Sequence, residues 1–114
     1  MSIAVTNTKN ALADKYGTLG AYISVHTGSP GTTGASEATG GTPAYARKAT
    51  TWGAASGGTI TGTEVTIDVP AGTYAFAGLW SAATGGTFID TVAVVSTTLG
   101  AQGQLKITPT YTQT

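Results

Sequence analysis

The chain has 114 residues, enough for one domain with a modest core and too few for two. Five acids balance five bases and charged residues make up only 9%, so the sequence offers no electrostatic footprint for nucleic acid or an anionic membrane. The absence of cysteine excludes disulfides and thiolate metal sites, and a hydrophobic content of 40% argues for a folded chain.

The N-terminal stretch MSIAVTNTKN lacks a basic segment followed by an apolar run, so no secretory signal is expected there. The longest apolar run, near VAVVS, is far too short for a membrane span. One short helix is predicted at the start. Thr6 or Thr8 can cap it, KNALADKY supplies helix formers, and Gly17 stands where a C-terminal cap belongs. Leu12 and Tyr16 are four apart and share a face, placed on the sheet.

From Leu19 the period changes to two. In LGAYISVHT, Ala21, Ile23 and Val25 oppose Tyr22, Ser24 and His26. GSPGTTGASEATGGTP follows without periodicity, and a loop of that length is usually functional or disordered. AYARKATTW alternates again, with Tyr45, Arg47, Ala49 and Thr51 on one side. TITGTEVTIDV sends Val65, Ile67 and Val69 inward, and TYAFAGLWS puts Tyr74, Phe76, Gly78 and Trp80 on one face. TFIDTVAVVS and GQLKITPTYT are the last strands. Threonine suits pleated strands and the seventeen glycines suit the turns between them. The predicted fold is all-β, a compact antiparallel β-sandwich of about six to eight short strands with one short N-terminal helix. A single domain, 1–114, divides into an arm and helix over 1–18 and a sandwich over 19–114 carrying the loop 28–42.

Two octets nearly repeat: WGAASGGT at 52–59 and WSAATGGT at 80–87. Each reads as a strand end, a reversal with two glycines and a strand start, so Trp52 and Trp80 stand at equivalent places. Repeated turn chemistry explains this, and an old duplicated hairpin is the alternative. Both tryptophans are assigned structural roles, closing the two ends of the sandwich.

No catalytic constellation is present. His26 is the only histidine, and no nucleophile-elbow pattern accompanies it. At a strand end it reads as a hydrogen-bonded structural residue. The five acids, Asp14, Glu37, Glu64, Asp68 and Asp90, are scattered, so no metal or cofactor is expected. On a strand, Glu64 and Asp68 share a face about 13 Å apart, too far for a carboxylate pair. GSPGTTG lacks the Lys-Ser/Thr ending of a phosphate loop. Arg47 and Lys48 face opposite sides of their strand, so they make no basic patch, and one of them is a candidate to pair with an acid at an interface.

TPAYARK (Thr42–Lys48), TWGAASGG (Thr51–Gly58) and GLWSAATGGT (Gly78–Thr87) carry a resemblance to a family of short bacteriophage structural proteins. The family is variously labelled tail-fibre, minor tail or decoration proteins, and the resemblance covers most of residues 10–110. The family often reads HTADPG where this chain has His26-Thr27-Gly28-Ser29-Pro30-Gly31, which loses a turn-forming acid. The resemblance implies a virion protein assembled in the host cytoplasm, acting by contact and not as an enzyme. Its implied partners are other virion proteins (major capsid protein or tail proteins) and further copies of itself as a homo-oligomer, with no nucleic acid and no membrane insertion.

Lacking heptads and long repeats, the chain is first read as a capsid-associated decoration or minor capsid protein. The alternative is a tail-tip or short tail-fibre component contacting the host surface. A lower alternative is a carbohydrate-binding module using Trp52, Trp80, Tyr45 and Tyr74 as stacking platforms. Interface residues are expected at Ile3, Val5, Pro30, Thr32, Thr33, Glu37 and Arg47. The core is expected at Ile23, Val25, Trp52, Val65, Ile67, Phe76, Leu79, Trp80, Val92, Val94, Leu105 and Ile107.

Overall fold

A computed structural model describes residues 3–114. Helix α1 (Thr6–Leu19) precedes eight strands: β1 (Tyr22–His26), β2 (Lys48–Ala49), β3 (Thr59–Thr61), β4 (Val65–Val69), β5 (Gly72–Trp80), β6 (Phe88–Leu99), β7 (Gly103–Ile107) and β8 (Thr110–Thr112). The fold is the all-β sandwich read from the sequence, with one short helix. One layer is a four-stranded antiparallel sheet in the order β2-β1-β5-β6. The other is a two-stranded ribbon in two parts, β3 with β8 and β4 with β7.

The ribbon explains why TITGTEVTIDV and GQLKITPTYT are each broken in the middle. From Thr61 to Val65 the first strand advances four residues while its partner retreats three, from Thr110 to Ile107. One extra residue on the first strand is a bulge, which bends the ribbon. Gly62 donates to the Pro109 carbonyl at 2.8 Å across this bend, and a Cβ at Gly62 would run into Thr50 and Pro109. Pro109 has no N–H for a ladder, so the break falls where the sequence cannot continue one.

Between the layers lies the core. Val65, Ile67 and Val69 of β4 pack with Ile23 and Val25 of β1, Leu79 and Tyr74 of β5, and Ala38. Trp52, Leu105 and Ile107 are partly buried against this cluster. Trp80 is buried, and Phe76 and Val94 are half-buried. Val92 does not belong to the core: it is 60% exposed, because the ribbon does not extend over β6, the edge strand of the sheet.

Other local expectations are also corrected. The helix does not stop at Gly17 but runs to Leu19, and the missing Cβ at Gly17 leaves room for Trp52 and Ile60 against the helix. Its N-cap is Val5, with no side-chain cap from Thr6 or Thr8. Leu12 is exposed. AYARKATTW yields only the two-residue β2, since Tyr45 and Arg47 turn to another partner. Register shifts in β5 at Tyr74/Phe76 and Leu79/Trp80 separate Tyr74, which joins the core, from Phe76, which pairs with His26.

The repeated octets become two reversals with matching backbone. Gly57 and Gly58 have φ of 59° and 80°, and Gly85 and Gly86 have φ of 61° and 76°. All four lie in the left-handed region that glycine enters without a Cβ clash. The two tryptophans do not close opposite ends of the sandwich. Trp52 donates its indole N–H to the Gly20 carbonyl at 2.9 Å, and the Trp80 backbone lies against Gly20 so closely that a Cβ there would overlap it. Both anchor the junction between α1 and β1.

Candidate functional site

β1 is buried on both faces. Its Ile23 and Val25 face the core, whereas Ser24 and His26 lie on the opposite side and are fully buried. What covers them is the aperiodic segment after Thr27, which folds back over the sheet. Thr27 donates to the Ser36 carbonyl at 3.0 Å, and Ala38 to that of Val25 at 3.0 Å, with Glu37 bridging to His26. Gly34 and Ala35 both donate to the Pro30 carbonyl, so residues 30–35 form a tight turn. Gly34, at φ 80°, lies against the Trp80 ring, where a Cβ would overlap it. The long loop is therefore neither loose nor extended.

A polar cluster holds it down. Arg47 Nε and Nη2 donate to the two oxygens of Glu37 at 2.8 and 2.9 Å, a bidentate pair. Arg47 Nη1 donates to the carbonyls of Ala82 and Gly85, which ties in the second glycine reversal. Its guanidinium carbon lies 3.6 Å from the centroid of the Trp80 ring, a cation–π contact. Tyr45 donates to Glu37 at 2.7 Å and accepts from the Val25 N–H at 3.3 Å. One carboxylate thus joins the loop, the β2 approach, the sheet and the 81–87 turn. Burial opposes the charge on Glu37, but the hydrogen bonds from Arg47 and Tyr45 outweigh it and lower its pKa. Burial, then the Glu37 carboxylate, raises the pKa of Tyr45.

Beneath the loop runs a second chain of hydrogen bonds. The Ala35 carbonyl can only accept, so His26 Nδ1, 2.8 Å away, carries the proton. Nε2 is then an acceptor, and the Ser24 hydroxyl donates to it at 2.7 Å while accepting from the Trp80 indole N–H at 3.0 Å. This serine–histidine pair is sealed under the loop, and its geometry suits a structural lock. Burial, more than any neighbour, lowers the His26 pKa.

Acid sensitivity follows, with the sign fixed by both groups. His26 is held neutral in the fold, so the unfolded chain takes up its proton first, near the ordinary value of 6.5. The corresponding stability is complete above that pH and declines below it. Glu37, ordinarily near 4.5, adds a further loss as pH falls through its lowered folded value. Urea midpoints are expected to be level above pH 7 and to drop from pH 6.5 downward, with the first step absent in His26→Phe at whatever stability that variant retains. A profile unchanged between pH 7 and 5 would contradict the assignment.

The geometry places each residue expected at an interface. Glu37 and Arg47 pair with each other inside the chain, both partly buried. Pro30 is fully buried as the pivot of the 30–35 turn. Thr32 and Thr33 are exposed on the outer side of that turn. Ile3 is half-buried and Val5 is 58% exposed at the helix start. The stacking platform is also corrected. Trp80 and Tyr74 are buried, Tyr45 is bonded to Glu37, and Trp52 meets Tyr16 edge-on at 6.2 Å. The aromatic pair that does stack is Tyr16 with Tyr111, with centroids 3.7 Å apart. Sequence reasoning missed Ser24 and Tyr111, and gave Tyr45 a stacking role where the structure gives it a bond to Glu37. The spacing of Tyr45 and Arg47, two residues apart on one face, was the available signal for a shared partner.

The protein-family comparison matches residues 10–113 to the model described as podophage GP4 fiber I protein gp80. No curated protein and no solved structure matches the chain. The match spans nearly the whole domain, including the clamped loop, both glycine reversals and the bent ribbon. The chain therefore belongs to the podophage GP4 fiber I protein gp80 family and is a small structural protein of a phage virion.

Proposed function

We propose that this chain is a tail-fibre subunit that presents the clamped loop 28–42 as a rigid contact surface towards the host. The family match carries this reading, since it describes a fibre protein and so favours the tail over a capsid decoration. The geometry adds a mechanism. Thr32 and Thr33 stand outward on a turn whose inner side is fixed by Pro30, Gly34 on Trp80, and the Glu37–Arg47 pair. A loop already held in place loses little freedom when it binds, which favours contact at a surface. Such a subunit joins other tail proteins in the host cytoplasm and works by fit, without catalysis.

Cryo-microscopy of intact particles tests the placement. Density for this chain is expected on the tail, and density only on the head would end the proposal. Particles carrying Thr32→Lys and Thr33→Lys are expected to assemble normally but to adsorb poorly. Undiminished adsorption would remove the loop from the contact.

A further inference from the structure

An open cleft of about 420 Å³ lies where α1, β6 and β8 come together. Of the four aromatic residues expected as a stacking platform, only Trp52 lines it, joined there by Tyr16 and Tyr111. All three rings are half-buried. Tyr16 and Tyr111 stack with their planes 5° apart, and Trp52 stands at 74° to Tyr16, so the rings form a corner. The polar hydrogens of these walls are spent inside the chain. Tyr16 donates to Asp90 at 2.8 Å, Tyr111 to Gln113 at 2.8 Å, the Trp52 indole to the Gly20 carbonyl, and the Thr91 hydroxyl to the Ala77 carbonyl. Burial, then Asp90, raises the Tyr16 pKa, which keeps that hydroxyl protonated as a donor.

Ring faces and lone pairs are what these walls still offer. Asp90 accepts one bond on each oxygen, from Tyr16 and from the Thr91 N–H, whereas a carboxylate has about four acceptor sites. Among the described residues it is the one charged side chain lining the cleft, and it has no ion-pair partner. Such a cleft repels anions and favours a cation. At its edge, exposed Thr108 and Thr110 bring rotatable hydroxyls, each able to donate or accept.

We infer that this cleft binds an amino sugar whose nitrogen is unacetylated and positively charged. The ammonium donates to the open lone pairs of Asp90. The C–H face of the saturated ring lies in the aromatic corner, and the sugar hydroxyls meet Thr108 and Thr110. An acetylated sugar lacks the charge, and an acidic sugar carries the wrong one. None of the lining residues belongs to the loop 28–42, so this site goes beyond the contact surface proposed above and does not depend on it.

Nuclear magnetic resonance titration of the purified chain with glucosamine tests it. The Trp52 indole N–H signal is expected to move, while that of Trp80, bonded to Ser24 under the loop, stays in place. Glucose, N-acetylglucosamine and methylammonium are each expected to bind about tenfold more weakly or less, since each lacks the charge or the ring. Asp90→Asn, which keeps an acceptor for Tyr16, should reduce glucosamine to the level of glucose. Thr110→Lys, a change at an exposed position, should abolish glucosamine binding by placing a like charge at the cleft, with an unchanged circular dichroism spectrum. A stationary Trp52 signal, glucose or methylammonium binding as well as glucosamine, or undiminished binding in Thr110→Lys would each overturn the proposal.

Discussion

Arg47→Ala is expected to destabilise the fold by about 3 kcal/mol, at the lower end of what breaking a buried ion pair costs. The lower end applies because the Glu37 side chain keeps 20% exposure and the Tyr45 hydroxyl as a donor. Alanine removes both bonds to Glu37, uncaps the carbonyls of Ala82 and Gly85, and exposes the face of Trp80. Urea unfolding followed by tryptophan fluorescence measures the loss, and for a domain of this size the melting temperature should fall by roughly 10–20 °C. Arg47→Lys should recover only part of it. An ammonium keeps the charge but cannot span two carboxylate oxygens and two carbonyls at once. In a double-mutant cycle with Glu37→Gln, the two changes should be strongly non-additive. Limited proteolysis should cut Arg47→Ala first within 31–36, where the loop loses its clamp. A stability loss below about 1 kcal/mol would mean that the pair behaves as an exposed surface bridge.

Gly78→Ala is expected to cost about 2–3 kcal/mol through overpacking alone. Gly78 lies on the face shared by Ser24 and His26, and a Cβ there would come within 2.9 Å of His26 Nε2 and of the Phe88 ring, while also striking the Ser24 hydroxyl. Ser24 and His26 cannot easily retreat, because they are fixed by the Trp80 N–H and the Ala35 carbonyl. Gly57→Ala is the control. That glycine has φ of 59° with nothing near the position of a Cβ, so alanine there meets backbone strain of only about 1 kcal/mol. Comparable losses for the two variants in thermal unfolding would rule out the close approach at Gly78 as the cause.

Much of the sheet architecture is written in the order of the residues. Val65, Ile67 and Val69 alternate with polar residues, and the pleat turns that alternation directly into one buried face. The doublets Gly57-Gly58 and Gly85-Gly86 mark reversals because left-handed φ at consecutive positions suits glycine. Tyr45 and Arg47 share a face in the alternation, and both do meet Glu37. Other features leave no local trace. Gly17 resembles a helix stop, yet its missing Cβ serves packing against Trp52 and Ile60. Tyr74 follows the same alternation as Phe76, yet a register shift places it on the core side. Pro30, in an outwardly polar glycine-rich loop, is one of the most buried side chains.

The candidate contact surface divides in the same way. Its location in a long aperiodic loop was legible, but its rigidity was not, because Glu37, Arg47 and the 81–87 turn meet only once the chain folds back. The sequence alone determined the strand-forming stretches, the inward sides of the regular ones and the glycine reversals, since these depend on dihedral preferences and a period of two. Tertiary structure alone decided which faces are covered: the loop seals Ser24 and His26, while the bent ribbon leaves Val92 bare. Burial is a relation between segments distant in the chain, and local periodicity carries no record of which segment arrives.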